Sequence, residues 1–144
     1  MPSYRCVVAT PTSELFSGDI YYANIPGTEG NYGVLANHEQ YVGMNRPGVL
    51  TLTLDEAGDE TVSFAIYNGM SQMFNNHLSI LAQLGRPVDE IDVEDTKRKL
   101  QETLDDIEEI KREYDKGDEA QLKTREDYLA WCRVQIAIKE GEVL

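Results

Sequence analysis

The sequence predicts an α+β chain: an N-terminal all-β sandwich over residues 1–88, followed by a C-terminal antiparallel α-helical hairpin over residues 89–144. Three observations predict it. Up to Leu84, short apolar stretches alternate with period two and are broken by turn residues at intervals of roughly 8–12 positions. After Pro87 the apolar spacing becomes helical. The charge steps at the same place. Residues 1–88 carry eight acids and three arginines, a net of −5, whereas the shorter stretch 89–144 carries eighteen acids and ten bases, a net of −8.

The strands are read in order. "YRCVVAT" runs to Pro11 and "DIYYANI" runs to Pro26-Gly27. "GVLTLTL" places Leu50, Leu52 and Leu54 on one face and Val49, Thr51 and Thr53 on the other. "TVSFAIY" aligns Val62, Phe64 and Ile66, and the intervening "DEAGDE" makes Gly48 to Tyr67 a hairpin. "SQMF" and "HLSILAQL" flank Asn75-Asn76, a pair that tolerates positive φ and suits a tight turn. No long helical period interrupts these strands, which disfavours a parallel βαβ fold.

In the second part, Val93, Leu100, Leu104, Ile107, Ile110 and Tyr114 recur close to helical spacing. Asp92 suits the N-cap, and Glu94 and Asp95 place negative charge at the positive end of the helix dipole. Gly117 suits the left-handed position after the helix. Asp118, with Gln121 three residues on, opens a second helix that buries Leu122, Leu129, Cys132 and Ile136 along one stripe. Tyr128, Trp131, Val134 and Ile138 lie outside that stripe. They call for cover by the β domain or by another partner.

Composition narrows the function. A net charge of −13 excludes nucleic acid as a partner, because such binding rests on neutralising phosphates with Lys and Arg. No apolar run approaches the roughly 18–20 residues of a membrane helix, and the first residues show no targeting pattern. Cys6 and Cys132 stand far apart with no metal spacing, so two reduced, partly buried thiols are expected. His38 and His77 have no His or Cys at metal-ligand spacing. The acid cluster "DEIDVED" lacks the glycine and spacing of a calcium loop. No nucleophile, base and oxyanion donor come together, so the chain reads as non-catalytic, with no cofactor and no metal.

"PGTEGNYG" holds Gly27, Gly30 and Gly33 at a spacing of three. It lacks the G-x-G-x-x-G order and a following Lys-Ser/Thr, and it opens into "VLANHE" rather than a helix start, so a phosphate cradle is disfavoured. A glycine-bent docking loop is the expectation.

The run "ATPTSELFSGDIYYANIPGTEGNYGVLANHE", then "RPGVLTL", then "YNGMSQMFNNHLSILAQ", then "EID" opening a helix, resembles the epsilon subunit family of F-type ATP synthase across essentially the whole chain. The resemblance implies a β-sandwich with a C-terminal helical hairpin. It implies a rotor part of the central stalk that grips the gamma subunit and touches the proton-translocating c-ring. The docking loop would comprise Gly27, Glu29, Gly30, Asn31, Tyr32, Gly33 and His38. Membrane association would come only through the complex, on the cytoplasmic face of the inner membrane or the stromal face of a thylakoid.

The family's hairpin is often regulatory. It extends toward the catalytic alpha and beta subunits and inhibits ATP hydrolysis through basic residues of the second helix. Lys123, Arg125 and Arg133 are the positions implied here. From Asp118 onward four bases face six acids, so long-range attraction to an acidic partner is weak. The alternative is an ATP-sensing module with nucleotide at the hairpin, at Ile91 and Asp92. The family motif I/L-D-x-x-R-A reads here Ile91-Asp92-Val93-Glu94-Asp95-Thr96, with an acid where the phosphate-facing Arg would stand. Two further departures concern docking. Asn31 stands where many members have an acid, and "EQYVGMN" replaces a more apolar segment after His38.

Overall fold

A computed structural model of the protein describes residues 2–113 and 119–141. Its contacts divide the chain into Met1–Glu90 and Ile91–Leu144. The first unit is two five-stranded sheets. In chain order the strands are β1 (Tyr4–Ala9), β2 (Glu14–Ile20), β3 (Tyr22–Gly27), β4 (Gly30–Val34), β5 (Tyr41–Met44), β6 (Gly48–Thr53), β7 (Thr61–Tyr67), β8 (Met70–Phe74), β9 (His77–Leu81) and β10 (Leu84–Pro87). One sheet has the order β2-β1-β9-β8-β5, the other β10-β7-β6-β3-β4. Pairing is antiparallel except between β1 and β9.

The period-two pattern explains the core. Cys6 and Val8 of β1, Leu50 and Leu52 of β6, Phe64 and Ile66 of β7, and Leu78 and Ile80 of β9 all turn inward between the sheets. Burying a residue such as Leu50 or Phe64 contributes about 1.5–3 kcal/mol. Tyr4 ties the layers together where the core has a polar atom: its hydroxyl donates to the Val34 carbonyl across the sandwich at 2.6 Å. Burial holds the Tyr4 hydroxyl well above its ordinary pKa and pushes the Cys6 thiol up to about 12.

Two sequence readings are corrected here. "DIYYANI" is not one strand. The chain bends at Tyr21 and passes from β2 in one sheet to β3 in the other. "PGTEGNYG" is not a loop either. It is the β3–β4 hairpin, with Gly27 paired to Gly30 and only Thr28-Glu29 between them. Gly30 needs its positive φ of 126°, and a Cβ on Gly27 would stand 2.8 Å from the Tyr32 ring. Asn75 and Asn76 take φ values of 50° and 60° and form the tight turn expected between β8 and β9.

The second unit holds α1 (Val93–Arg112) and α2 (Glu119–Glu140). Asp92 caps α1, its Oδ1 accepting from the Asp95 N–H at 3.1 Å. Ion pairs run the two helices antiparallel: Lys97 near the start of α1 meets Glu140 at the end of α2 at 3.0 Å, and Asp106 meets Arg125 at 3.7 Å. The apolar stripe of α1 appears with small polar residues at its centre. Thr96, Thr103 and Ile107 are buried, and Leu100, Leu104 and Ile110 are half-buried. In α2 the expected stripe is corrected. Leu129 and Cys132 are buried, but Leu122 and Ile136 are half-buried, and Trp131 and Val134 are buried in their place. Tyr128 stays exposed. The expected Tyr114, Gly117 and Asp118 signals lie outside the described residues.

Candidate functional site

The site is built at one corner of the sandwich, where the edge strand β4 of one sheet meets the edge strand β5 of the other. Three consecutive residues on each side join the sheets there. Gly27 and Asn45 form an isolated antiparallel bridge. On either side of it the Thr28 N–H donates to the Met44 carbonyl at 3.0 Å, and the Arg46 N–H donates to the Pro26 carbonyl at 2.8 Å. A hairpin tip that would otherwise project alone is stitched to the neighbouring sheet.

Beside this seam lies a cleft of about 380 Å³. The expected docking residues Gly27, Glu29, Gly30, Tyr32 and His38 line it, together with Tyr41, Val42, Gly43 and Met44. The glycines leave backbone uncovered at its wall, Glu29 sets an exposed negative charge at the tip, and Val42 and Met44 are 64% and 57% exposed. Three rings form a cluster. Tyr32 and Tyr41 meet edge to face at 5.6 Å with their hydroxyls 3.0 Å apart, and His38 packs edge to face on Tyr41 at 5.2 Å. His38 Nδ1 donates to the Glu39 carbonyl at 2.8 Å. Burial first, then the bond to Tyr32, holds the Tyr41 hydroxyl far above its ordinary pKa, so it stays protonated.

Two members of the expected set do not line the cleft. The Asn31 side chain accepts from Arg46 Nη2 at 2.7 Å. Gly33 lies against Tyr22, whose ring would stand 2.6 Å from a Cβ at that position. Sequence reasoning missed Tyr41, Val42, Met44 and Arg46 as contributors. For the first three the one available signal was that "EQYVGMN" looked unusual after His38; Arg46 lies just beyond it.

The outer face of the β5-containing sheet continues this surface. Register sets Met44 beside Met70, Met70 beside Leu81, and Leu81 beside Ala9, an apolar row across four strands. Leu81 and Phe74 on the same face are 49% and 52% exposed.

A family model for the beta-sandwich domain of the ATP synthase delta/epsilon chain matches residues 3–85. This chain belongs to that family. An ATP synthase epsilon chain of Rhodopseudomonas palustris (strain TIE-1) is 33% identical over 101 residues, 70% of this chain and 73% of that protein. ATP synthase epsilon chain 2 of Nitrobacter hamburgensis is 36% identical over 119 residues, 83% of this chain and 82% of its own length. Among solved structures, a chain of the Euglena gracilis mitochondrial ATP synthase OSCP/F1/c-ring assembly is 22% identical. It has a TM-score of 0.64 and covers 98% of this chain and 81% of that one. A chain of the Tetrahymena thermophila mitochondrial ATP synthase central stalk and c-ring has a TM-score of 0.57 at 12% identity, covering 94% and 95%. These two show a shared fold.

The expected hairpin residues fare unequally. Lys123 pairs with Asp127 at 3.0 Å and Arg125 with Asp106 at 3.7 Å, so both cations are engaged within the hairpin. Arg133 is exposed, and no ion pair to it is found among the described residues. At the expected nucleotide position Ile91 is buried and the Asp92 carboxylate is occupied as the helix cap. Asp95 pairs with Arg98 at 2.5 Å and Lys99 at 3.1 Å. Among the described residues, no helix is long and apolar enough to cross a membrane, and no group of three or more His, Cys, Asp or Glu is placed to hold a metal ion.

Proposed function

We propose that the chain is a non-catalytic rotor subunit in the central stalk of a proton-translocating F-type ATP synthase. The sandwich carries the role. Its β3–β4 corner docks on the c-ring and its apolar outer face, from Met44 to Leu81, holds the gamma subunit. Association with the membrane is then peripheral, through the complex. The observation that carries this reading is the assembly of Gly27, Glu29, Gly30, Tyr32 and His38 on one cleft at a stitched corner, in a chain of the delta/epsilon family.

Rotor contacts must transmit load, and this corner suits that task. Backbone hydrogen bonds on both sides of Gly27 replace the mobility of an ordinary surface loop. The exposed apolar row supplies area that a permanent partner removes from water, worth roughly 25 cal/mol per Å² before the costs of association.

The helical hairpin is assigned a regulatory part toward the catalytic alpha and beta subunits. Its second helix has two of three candidate cations already paired, so Arg133 is the contact of choice and inhibition through charge is weak. No observation favours the ATP-sensing alternative: Asp95, paired with Arg98 and Lys99, stands where the family motif has its phosphate-facing Arg.

The test is reconstitution of a host complex stripped of this subunit. Adding the full chain restores ATP-driven proton pumping, and a chain stopped after Val88 restores pumping with hydrolysis raised at most a few-fold. Failure of the folded full chain to bind the stripped complex would sink the proposal.

A further inference from the structure

The cleft does not account for everything at the corner, because two neighbouring residues of β4 are gripped from opposite sides. Asn31 and Tyr32 are consecutive, so their side chains leave the strand in opposite directions. Asn31 is held by Arg46 Nη2 at 2.7 Å, and Tyr32 by the Tyr41 hydroxyl at 3.0 Å. Both gripping residues belong to one short stretch of chain, Tyr41 opening β5 and Arg46 following its end. Between them stands Asn45. Its backbone faces Gly27 of one sheet, while its side chain accepts from Ser71 Oγ of the other sheet at 2.9 Å and is almost wholly buried. The Asn45 N–H also donates to the Gly69 carbonyl at 3.0 Å, fixing the stretch to the β7–β8 turn. Of the two departures noticed separately in the sequence, "EQYVGMN" supplies Tyr41 and Asn45, and Arg46, which grips Asn31, follows it directly.

The geometry points to Arg46 as a positioning residue that sets the pose of the β3–β4 tip, with Asn31 acting through Arg46 rather than by touching the rotor partner. This rests on the c-ring docking reading above and deepens it. A neutral Asn at 31 lets the amide oxygen take the guanidinium without closing the clamp into an ion pair. An acid there makes that pair, and a charge-assisted bond between Arg and a carboxylate is the stronger of the two. Arg46 is also one of only three cations in residues 1–88, against eight acids. Residues 22–45 contain no arginine that could replace it.

The test is a double-mutant cycle on affinity for the isolated gamma–c-ring subcomplex of the host enzyme, using the full chain. Arg46→Met weakens binding by about three- to tenfold, the range expected for losing one side-chain hydrogen bond that orders a docking element. Arg46→Lys restores part of the loss. Asn31→Asp changes binding in the wild-type background and loses its effect when Arg46 is Met, because interacting residues are non-additive. Melting temperatures within a few degrees of wild type show that the variants fold. Tyr32→Phe combined with Tyr41→Phe gives an independent second cycle on the other jaw.

Additive effects of Asn31→Asp and Arg46→Met would overturn the inference, since Asn31 would then meet the partner directly. If the wild-type chain itself shows no affinity for the subcomplex, the docking reading falls and takes this inference with it. Binding by wild type with an additive cycle removes the inference alone.

Discussion

The sandwich and the helical hairpin are held together by different means. Between the sheets, large side chains such as Ile20, Leu50, Leu52 and Ile66 are fully buried, and Phe64 nearly so. In α1, two of the three buried residues are threonines, and their hydroxyls bond carbonyls of their own helix: Thr96 to Asp92 and Thr103 to Lys99, both at 2.7 Å. The cations differ in the same sense. In the sandwich, Arg5 and Arg46 donate to neutral side chains, Ser17 and Asn31. In the hairpin, Lys97, Arg98, Lys99, Arg112, Lys123 and Arg125 all pair with acids at the surface. Exposed pairs are each worth about 0–1 kcal/mol and are screened by salt. The sandwich thus rests on core packing, whereas the hairpin adds surface ion pairs to apolar burial that comes mostly from α2, at Leu129, Trp131, Cys132 and Val134.

The largest expected effect breaks this comparison if it fails. Leu50→Ala removes a wholly buried side chain and should cost about 2–5 kcal/mol, read as a lowered denaturant midpoint of the sandwich. Thr103→Ala in α1 should cost less than about 1 kcal/mol, because its hydroxyl bonds its own helix and Ala is the better helix former. Equal losses would remove the distinction.

The next prediction concerns Cys6. With its pKa pushed up to about 12 by burial, the thiol is protonated near neutral pH and shielded as well. Alkylation mapped by peptide mass should leave Cys6 unmodified until the sandwich unfolds in denaturant. Rapid modification of the folded protein would mean that the core opens locally.

How much of this was legible beforehand differs between the two regions for physical reasons. Strands with strict alternation, such as Val49 to Leu54, announce their buried face, and Asn75-Asn76 announces its turn. The β4 and β5 edge strands did not read as strands. "GNYGV" and "YVGM" are short, glycine-bearing and half-exposed, so alternation is diluted where only one face packs. Five residues of the cleft, Gly27, Glu29, Gly30, Tyr32 and His38, were named from family resemblance, but the division between cleft and clamp was not legible. It depends on pairing between Gly27 and Asn45, eighteen positions apart, which no local pattern encodes. In α2, apolar residues occur on several sides, so the spacing that picked Ile136 could not rank it against Trp131.

A third prediction sharpens the hairpin's half. Arg98 first, then Lys99, hold the Asp95 carboxylate below the ordinary carboxylate range. A depressed folded pKa means that this contribution is complete above the unfolded value and lost as pH falls through the folded one. Helical ellipticity should therefore drop on acidification below about pH 4, where model carboxylates protonate. Asp95→Asn should show a smaller drop over that window. Identical acid profiles for the two proteins would contradict the assignment.

The smallest effect is expected from nucleotide. With Asp92 spent as a cap and Asp95 facing Arg98 and Lys99, millimolar Mg-ATP should leave the melting temperature unchanged, whereas a ligand bound well below that concentration must raise it. A clear rise would restore the hairpin as a nucleotide sensor.

The most direct measurement is a cross-linking comparison between the two ends of the β10-β7-β6-β3-β4 sheet in the assembled complex. Glu29→Cys sits at the β3–β4 tip, and Asp59→Cys sits in the β6–β7 turn at the other end of that sheet. A c-ring cross-link from position 29 and none from position 59 is the predicted result. A c-ring cross-link from position 59 with none from position 29 would contradict the docking assignment outright.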